Sequence, residues 1–132
     1  MPTSALDHVN ILTDDLEATV AFYLGALELT RSESPATARG LNGAWLCDAG
    51  GNPIVHLVER NASLDFGAGH EPGLPTAAIH HVAFRCTGFA EAQARLAAMG
   101  LEHRVNDGYL GLRQIMLTDP NAINVEMNFP GD

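Results

Sequence analysis

The sequence predicts an α+β fold in which one βαβββ module is written twice, the two modules together forming a cupped mixed sheet. Three observations predict it. A short apolar strand opened by a histidine before valine occurs at Asp7-His8-Val9-Asn10-Ile11 and again, altered, at His80-His81-Val82-Ala83-Phe84; repetition on this scale outranks any local signal. A segment that closes a helix recurs as Gly25-Ala26-Leu27-Glu28-Leu29 and Met99-Gly100-Leu101-Glu102-His103. The turn-rich stretch from Asp48 to Pro53, running into Ile54-Val55-His56, answers Asp119-Pro120-Asn121, running into Ile123-Asn124-Val125-Glu126, with one residue of slack.

Each element follows from local pattern. Residues 5–12 alternate around Leu6, Val9 and Ile11, as a strand with one packed face does. Thr13-Asp14-Asp15 supplies an N-cap and first-turn acids suited to a helix dipole. Leu16, Val20, Tyr23 and Leu27 then recur at helical spacing, which predicts an amphipathic helix over 14–26. A strand over 29–32 is broken by Ser34-Pro35. Strands over 43–48 and 54–59 flank the turn chemistry of Gly50-Gly51-Asn52-Pro53. Residues 61–77 hold several glycines and prolines with little periodicity and read as a connecting loop, a place for a segment that covers substrate. The second module starts with a strand over 78–86. An alanine-rich helix over 90–99 follows, with Ala92, Leu96 and Met99 on one face and Gly100 as its stop. Strands over 101–105, 112–118 and 123–129 complete it, separated by turns at Asn106-Asp107-Gly108 and Asp119-Pro120-Asn121. Residues 1–132 thus form a single domain, with modules at 5–60 and 78–129.

Composition narrows the function. A chain of 132 residues, 46% hydrophobic, is long enough to bury a core. Its formal charge is −9, and all seven basic residues are arginine. The lack of lysine excludes a Schiff-base enzyme and a lysine-bearing phosphate loop, and an acidic surface repels nucleic acid. No positively charged segment leads into an apolar run near Met1, and no apolar stretch has spanning length, so the expectation is a cytoplasmic protein without a membrane partner. Cys47 and Cys86 fall in strands and read as small buried hydrophobes rather than a disulfide or a nucleophile.

Strand parity sorts the polar residues. Val9 and Ile11 take one face of their strand, leaving His8 and Asn10 opposite. Val82, Phe84 and Cys86 leave His81, Ala83 and Arg85 opposite. Val125, Met127 and Phe129 leave Asn124, Glu126 and Asn128, and His56 lies opposite Val55 and Leu57. His8, His56, His81 and Glu126 therefore point away from the helix-packed side, two from each module, around one concave surface. Imidazole and carboxylate without a cysteine partner suit a divalent ion such as zinc, nickel, cobalt, manganese or ferrous iron. Asn10, Arg85, Gln114 and Asn128 line the same surface and are candidates for binding polar groups of a substrate. His70, His80 and His103 read as structural or exposed.

Three stretches carry a family resemblance: His8-Val9-Asn10-Ile11 with Asp15-Leu16-Glu17 and Ala21-Phe22-Tyr23, then His81-Val82-Ala83-Phe84, then Asp119-Pro120-Asn121 running into Val125-Glu126-Met127. In this order and spacing, over residues 6–129, the chain resembles the vicinal oxygen chelate superfamily, which includes glyoxalase I, methylmalonyl-CoA epimerase, extradiol dioxygenases, fosfomycin-resistance proteins and bleomycin-binding proteins. The resemblance implies a glyoxalase-like fold with His8, His81 and Glu126 as metal ligands. The fourth family position, glutamate in glyoxalase I and glutamine in the epimerase, falls on His56. That replacement still binds metal but removes a carboxylate, so in an isomerase either Glu126 serves as the catalytic base or the substrate supplies its own.

The preferred expectation is a metal-dependent, glyoxalase I-like lyase or isomerase acting on a small molecule with neighbouring oxygens, working as a homodimer. An Fe(II) extradiol dioxygenase is the alternative, with His8, His81 and Glu126 as its triad. The ring-cleaving relatives carry a tyrosine where this chain has Met116 and a turn glycine where it has Ala122. Their histidine outside the triad falls in the region Asn106-Asp107-Gly108-Tyr109, so Tyr109 and His103 are the nearest substitutes. The third alternative is a metal-free binding protein, against which the four ligand-type side chains argue.

Overall fold

Alternation of period two sets the strands. In the computed structural model, which describes residues 2–33, 40–60, 67, 69–109 and 111–131, the element order is β1 (Val9–Thr13), α1 (Leu16–Leu27), β2 (Thr30–Glu33), β3 (Gly43–Cys47), β4 (Pro53–Glu59), β5 (Val82–Arg85), α2 (Phe89–Ala98), β6 (Arg104–Tyr109), β7 (Leu112–Thr118) and β8 (Asn124–Phe129). The βαβββ pattern therefore occurs twice. The contacts divide the chain into two compact units, residues 1–24 with 28–70 and residues 25–27 with 71–132. The Ser34-Pro35 break and residues 61–66 and 68 of the expected connecting loop lie outside the described residues.

Each unit carries a four-stranded mixed sheet, ordered β1-β4-β3-β2 in the first and β5-β8-β7-β6 in the second. The opening strand of each unit pairs parallel with the closing one, β1 with β4 and β5 with β8. A parallel pair needs a crossover, and the intervening helix supplies it. The remaining pairs are antiparallel. In β4, Val55 and Leu57 are fully buried on one face with Ile11, Ala44 and Leu46, and Leu16, Val20 and Tyr23 of α1 are buried too, whereas Val58, on the other face, clusters with Leu41 and Leu12. In the second unit Phe89, Ala92 and Leu96 of α2 are buried together with Ile115, Leu117, Val125, Met127 and Phe129. Phe89 stands edge-on to Phe129, ring centroids 5.4 Å apart.

Caps and turns show where duplication is exact in form and where it drifts. Asp15 is the N-cap of α1, accepting from Ala18 N at 3.1 Å. Both helices end in a left-handed residue followed by leucine: Glu28 (φ 54°) with Leu29 N donating to Tyr23 O, and Gly100 (φ 69°) with Leu101 N donating to Leu96 O. The structural equivalent of Gly100 is thus Glu28. Gly25 lies against the flexible end of the Met99 side chain, which would have to shift to admit a Cβ. The two Asp-based turns match closely. Asp48 Oδ1 accepts from the backbone N–H groups of Gly50 and Asn52, and Asp119 Oδ1 from those of Asn121 and Ile123. Gly51 (φ 81°) and Ala122 (φ 67°) occupy the same left-handed position.

Two expectations are corrected. The opening strands are shorter than residues 5–12 and 78–86, so His8 and His81 each sit one residue before theirs. Asn106-Asp107-Gly108 is not a turn but the middle of β6, where Asn106 pairs with Gln114 and Asp107 with Arg113. Gly108 (φ 99°) marks an irregularity between Asp107 and Tyr109, a bulge whose extra residue takes a conformation that glycine adopts without strain.

Candidate metal and proton-transfer site

In the first unit His8 and His56 stand on the face opposite Ile11, Val55 and Leu57, with ring centroids 6.1 Å apart. Both touch Trp45, a residue that sequence reasoning passed over. Trp45 pairs with His56 across β3 and β4 and stacks on it at 4.2 Å and 13°, while His8 meets its edge at 4.7 Å. The alternation of Ala44, Trp45 and Leu46 was the available signal, but a search limited to ligand-type residues ignores tryptophan. Burial holds the His56 pKa below its ordinary value, and the neighbouring His8 adds to the effect.

Each ring is oriented through Nδ1. His8 Nδ1–H donates to Asp7 Oδ2 at 2.6 Å, an arrangement that leaves the Nε2 lone pair outward and makes the ring a better ligand. Asn10 lies opposite His56 in the β1–β4 register, and its amide meets His56 Nδ1 at 3.0 Å. Asn10 is therefore engaged with a histidine. With its Nδ2 as donor the proton of His56 sits on Nε2; with the amide turned, Oδ1 accepts from Nδ1–H and Nε2 presents a lone pair.

In the second unit His81 Nε2 stands 3.8 Å from Glu126 Oε1. The Glu126 side chain is 13% exposed and that of His81 41%. Glu126 occupies the polar face of β8 between buried Val125 and Met127. His81 Nδ1 is 2.9 Å from His80 Nδ1; with His80 as the acceptor the proton of His81 sits on Nδ1 and Nε2 is free, and with His80 as the donor the reverse holds. Glu126, His80 and His81 line a pocket of about 890 Å³ together with His103, Arg104 and Met116. Arg104, Met116 and Glu126 form one row across β6, β7 and β8.

The other predicted substrate contacts are placed as follows. Arg85 is exposed at the end of β5, opposite Asn128 in the register. Gln114, 7% exposed, donates through Nε2 to Asn128 Oδ1 at 2.9 Å and accepts from Asn106 Nδ2 at 2.8 Å. Asn128 Nδ2 donates to Glu126 Oε2 at 3.1 Å. The Tyr109 backbone pairs with Leu112, and its side chain lies outside the described residues.

Each pair has the dimensions of two ligands on one ion. Donors about 2.1 Å from an ion at a tetrahedral angle stand about 3.4 Å apart, and two imidazoles bound through Nε2 have centroids about 5 Å apart. The His81–Glu126 gap of 3.8 Å and the His8–His56 centroid distance of 6.1 Å are within small side-chain rotations of those values. Among the described residues no three His, Cys, Asp or Glu side chains form a ready-made cluster; His8 with His56 and His81 with Glu126 are each a pair within one unit. Nor does any described helix have the length and apolarity to cross a membrane.

Comparison with known proteins agrees with this architecture. Among solved structures the chain is similar to a glyoxalase family protein from Bacillus anthracis, at 18% identity over 98% of each chain, with a TM-score of 0.75. It is similar to lactoylglutathione lyase from Agrobacterium tumefaciens, at 18% identity over 98% of this chain and 96% of that one, with a TM-score of 0.65. It is similar also to the fosfomycin resistance protein FosX from Listeria monocytogenes, determined with Mn(II) and sulfate, at 18% identity over 97% and 93%, with a TM-score of 0.68. At these identities the likeness is one of fold. The search of curated proteins finds no match. The family model named Glyoxalase/Bleomycin resistance protein/Dioxygenase superfamily matches residues 5–127, nearly the whole chain, and it is to this superfamily that the protein belongs.

Proposed function

We propose that the protein is a metal-dependent, glyoxalase I-like lyase or isomerase acting on a small substrate with neighbouring oxygens, assembled as a homodimer. The candidate ligands are His8 and His56 in the first unit and His81 and Glu126 in the second. The observation that carries the reading is the His81–Glu126 pair, 3.8 Å apart, with a largely buried carboxylate on a pocket wall. The lyase from Agrobacterium tumefaciens and the Mn(II)-containing FosX, which share the fold, support it. A divalent ion bound by this donor set supplies Lewis acidity to two adjacent substrate oxygens.

The chain's own residues account for the rest. Asp7, Asn10 and His80 orient the imidazoles through Nδ1. Glu126 accepts from Asn128 at Oε2, so Oε1 is the oxygen left to take or return a substrate proton. With histidine rather than a carboxylate at position 56, Glu126 is the carboxylate among the four candidate ligands.

The test is metal analysis of the purified protein, then assays with a hemithioacetal and with a catechol. Nickel, zinc, cobalt or manganese with hemithioacetal turnover supports the proposal. Iron with oxygen uptake on the catechol refutes it in favour of ring cleavage, and absence of metal affinity refutes it in favour of a binding protein.

A further inference from the structure

The polar face of the second sheet carries a hydrogen-bonded row that none of its members announces alone. Asn106, Gln114 and Asn128 lie side by side on β6, β7 and β8, paired in register. Their amides are joined head to tail: Asn106 Nδ2 donates to Gln114 Oε1 at 2.8 Å, Gln114 Nε2 to Asn128 Oδ1 at 2.9 Å, and Asn128 Nδ2 to Glu126 Oε2 at 3.1 Å. The direction of this chain follows from chemistry. An ionised carboxylate only accepts, so Asn128 must turn its NH2 to Glu126 and its Oδ1 to Gln114. Gln114 must then turn its NH2 to Asn128 and its Oε1 outward, which requires the NH2 of Asn106. One carboxylate sets three amides, and each polarised link strengthens the next.

We infer that Asn106, Gln114 and Asn128 are positioning residues for Glu126, a relay of oriented amides that fixes which carboxylate oxygen faces His81. Gln114 and Asn128 thus exchange the substrate contact expected of them for a role acting through the carboxylate. Gln114 is nearly buried, and both ends of its amide are already engaged. The row also explains why polar residues occupy β7 and β8 positions beside buried Ile115, Met127 and Phe129. Burying an amide is costly unless both of its ends are bonded, and here the neighbours on either side bond them. Glu126 Oε2 is occupied by Asn128, leaving Oε1 as the oxygen directed at His81 Nε2.

The inference rests on Glu126 being a metal ligand, as proposed above, and the experiment separates the two ideas. Co(II) titrations followed by visible absorption give a dissociation constant for the wild type, Gln114→Met, Asn128→Leu and the double variant, with melting temperatures alongside. Loss of groups that orient a ligand weakens metal binding by roughly tenfold or more. Gln114→Met, although its side chain does not touch Glu126, should weaken Co(II) binding about tenfold. In the Asn128→Leu background it should weaken binding no further, because the link is already cut. Independent effects that multiply, or a folded Gln114→Met protein that binds within about twofold of wild type, overturn the relay.

Side-chain amide NMR reads the row without metal and without these variants. Glu126→Gln frees its direction, and the NH2 signals of Asn128, Gln114 and Asn106 should all move, in decreasing order. Movement of Asn128 alone overturns the relay. A wild-type protein that binds no Co(II) but passes this NMR test overturns the proposed function and leaves the relay standing.

Discussion

Replacing Asp119 with alanine tests how the hairpin between β7 and β8 holds Glu126 in place. Asp119 is 4% exposed, and its Oδ1 accepts from Asn121 N at 2.7 Å and Ile123 N at 2.9 Å. Hydrogen bonds to a charged acceptor contribute about 1.5–3 kcal/mol each. Asn121 is 6% exposed, so its orphaned N–H stays dry; Ile123 is half-buried, and water repairs part of that loss. The sum is about 3–4 kcal/mol, a large share of the stability of an ordinary domain, and corresponds to a melting temperature lower by roughly 10 °C. Asp48→Ala removes the same turn bonds at a solvated site and should cost visibly less. Circular dichroism melts of both variants and the wild type make the comparison. An Asp119→Ala protein that melts within about 2 °C of wild type, or an Asp48→Ala protein that loses more, refutes the reasoning.

Two further predictions concern titrating groups. Burial pushes the Cys86 thiol from 9.0 up to about 11, against the charge of Arg95 and the Asn128 backbone N–H directed at the sulfur, which pull it down. The thiolate fraction near pH 8 then falls about a hundredfold while intrinsic nucleophilicity recovers about half of that on a logarithmic scale. Iodoacetamide should therefore modify Cys86, in a Cys47→Ser protein, about tenfold more slowly than an unperturbed thiol; an equal rate contradicts the burial argument. His56 is held below 6.5, chiefly by burial and then by His8. A depressed imidazole pKa means the unfolded chain binds the proton more readily, so His56 favours the fold above pH 6.5 and this contribution is lost as pH falls through its folded value. An NMR titration should place the His56 midpoint below 6.5, moving up in His8→Ala; a midpoint above 6.5 reverses the sign.

Period two made much of the site legible. Val55 and Leu57 are buried while His56 between them is not, and Val125 and Met127 flank Glu126 in the same way. Such alternation follows from a strand with one packed face, so the polar side was readable without coordinates. What escaped has a common cause: it lies in partners that parity does not name. Asp7 and His80 precede the strands and engage His8 and His81 through the chain's local bend. Trp45 belongs to a neighbouring strand, brought to His56 by register. Gly108 misled for another reason. Asn-Asp-Gly is strong local turn chemistry, but five residue pairs with β7 outweigh it, and the glycine's positive φ is absorbed as a bulge.

The bulge bears on the relay as well. Asn106 is reached only because β6 runs through the position where a turn was expected, carrying its amide to the edge of Gln114. A true turn at 106–108 would end β6 before that contact, and the row would stop at Gln114 with its Oε1 turned to solvent. The irregularity after Asp107 ends the regular pairing just beyond Asn106 and Asp107. Among the described residues the first unit shows no such row: the neighbours of His56 across its sheet are Asn10 and Trp45, one bonding the ring at Nδ1 and the other stacking on its face. The same βαβββ backbone thus braces its candidate ligands by a ring stack in one copy and by oriented amides in the other. An imidazole has a face to stack on and a carboxylate does not; the neighbours differ because the group to be held differs.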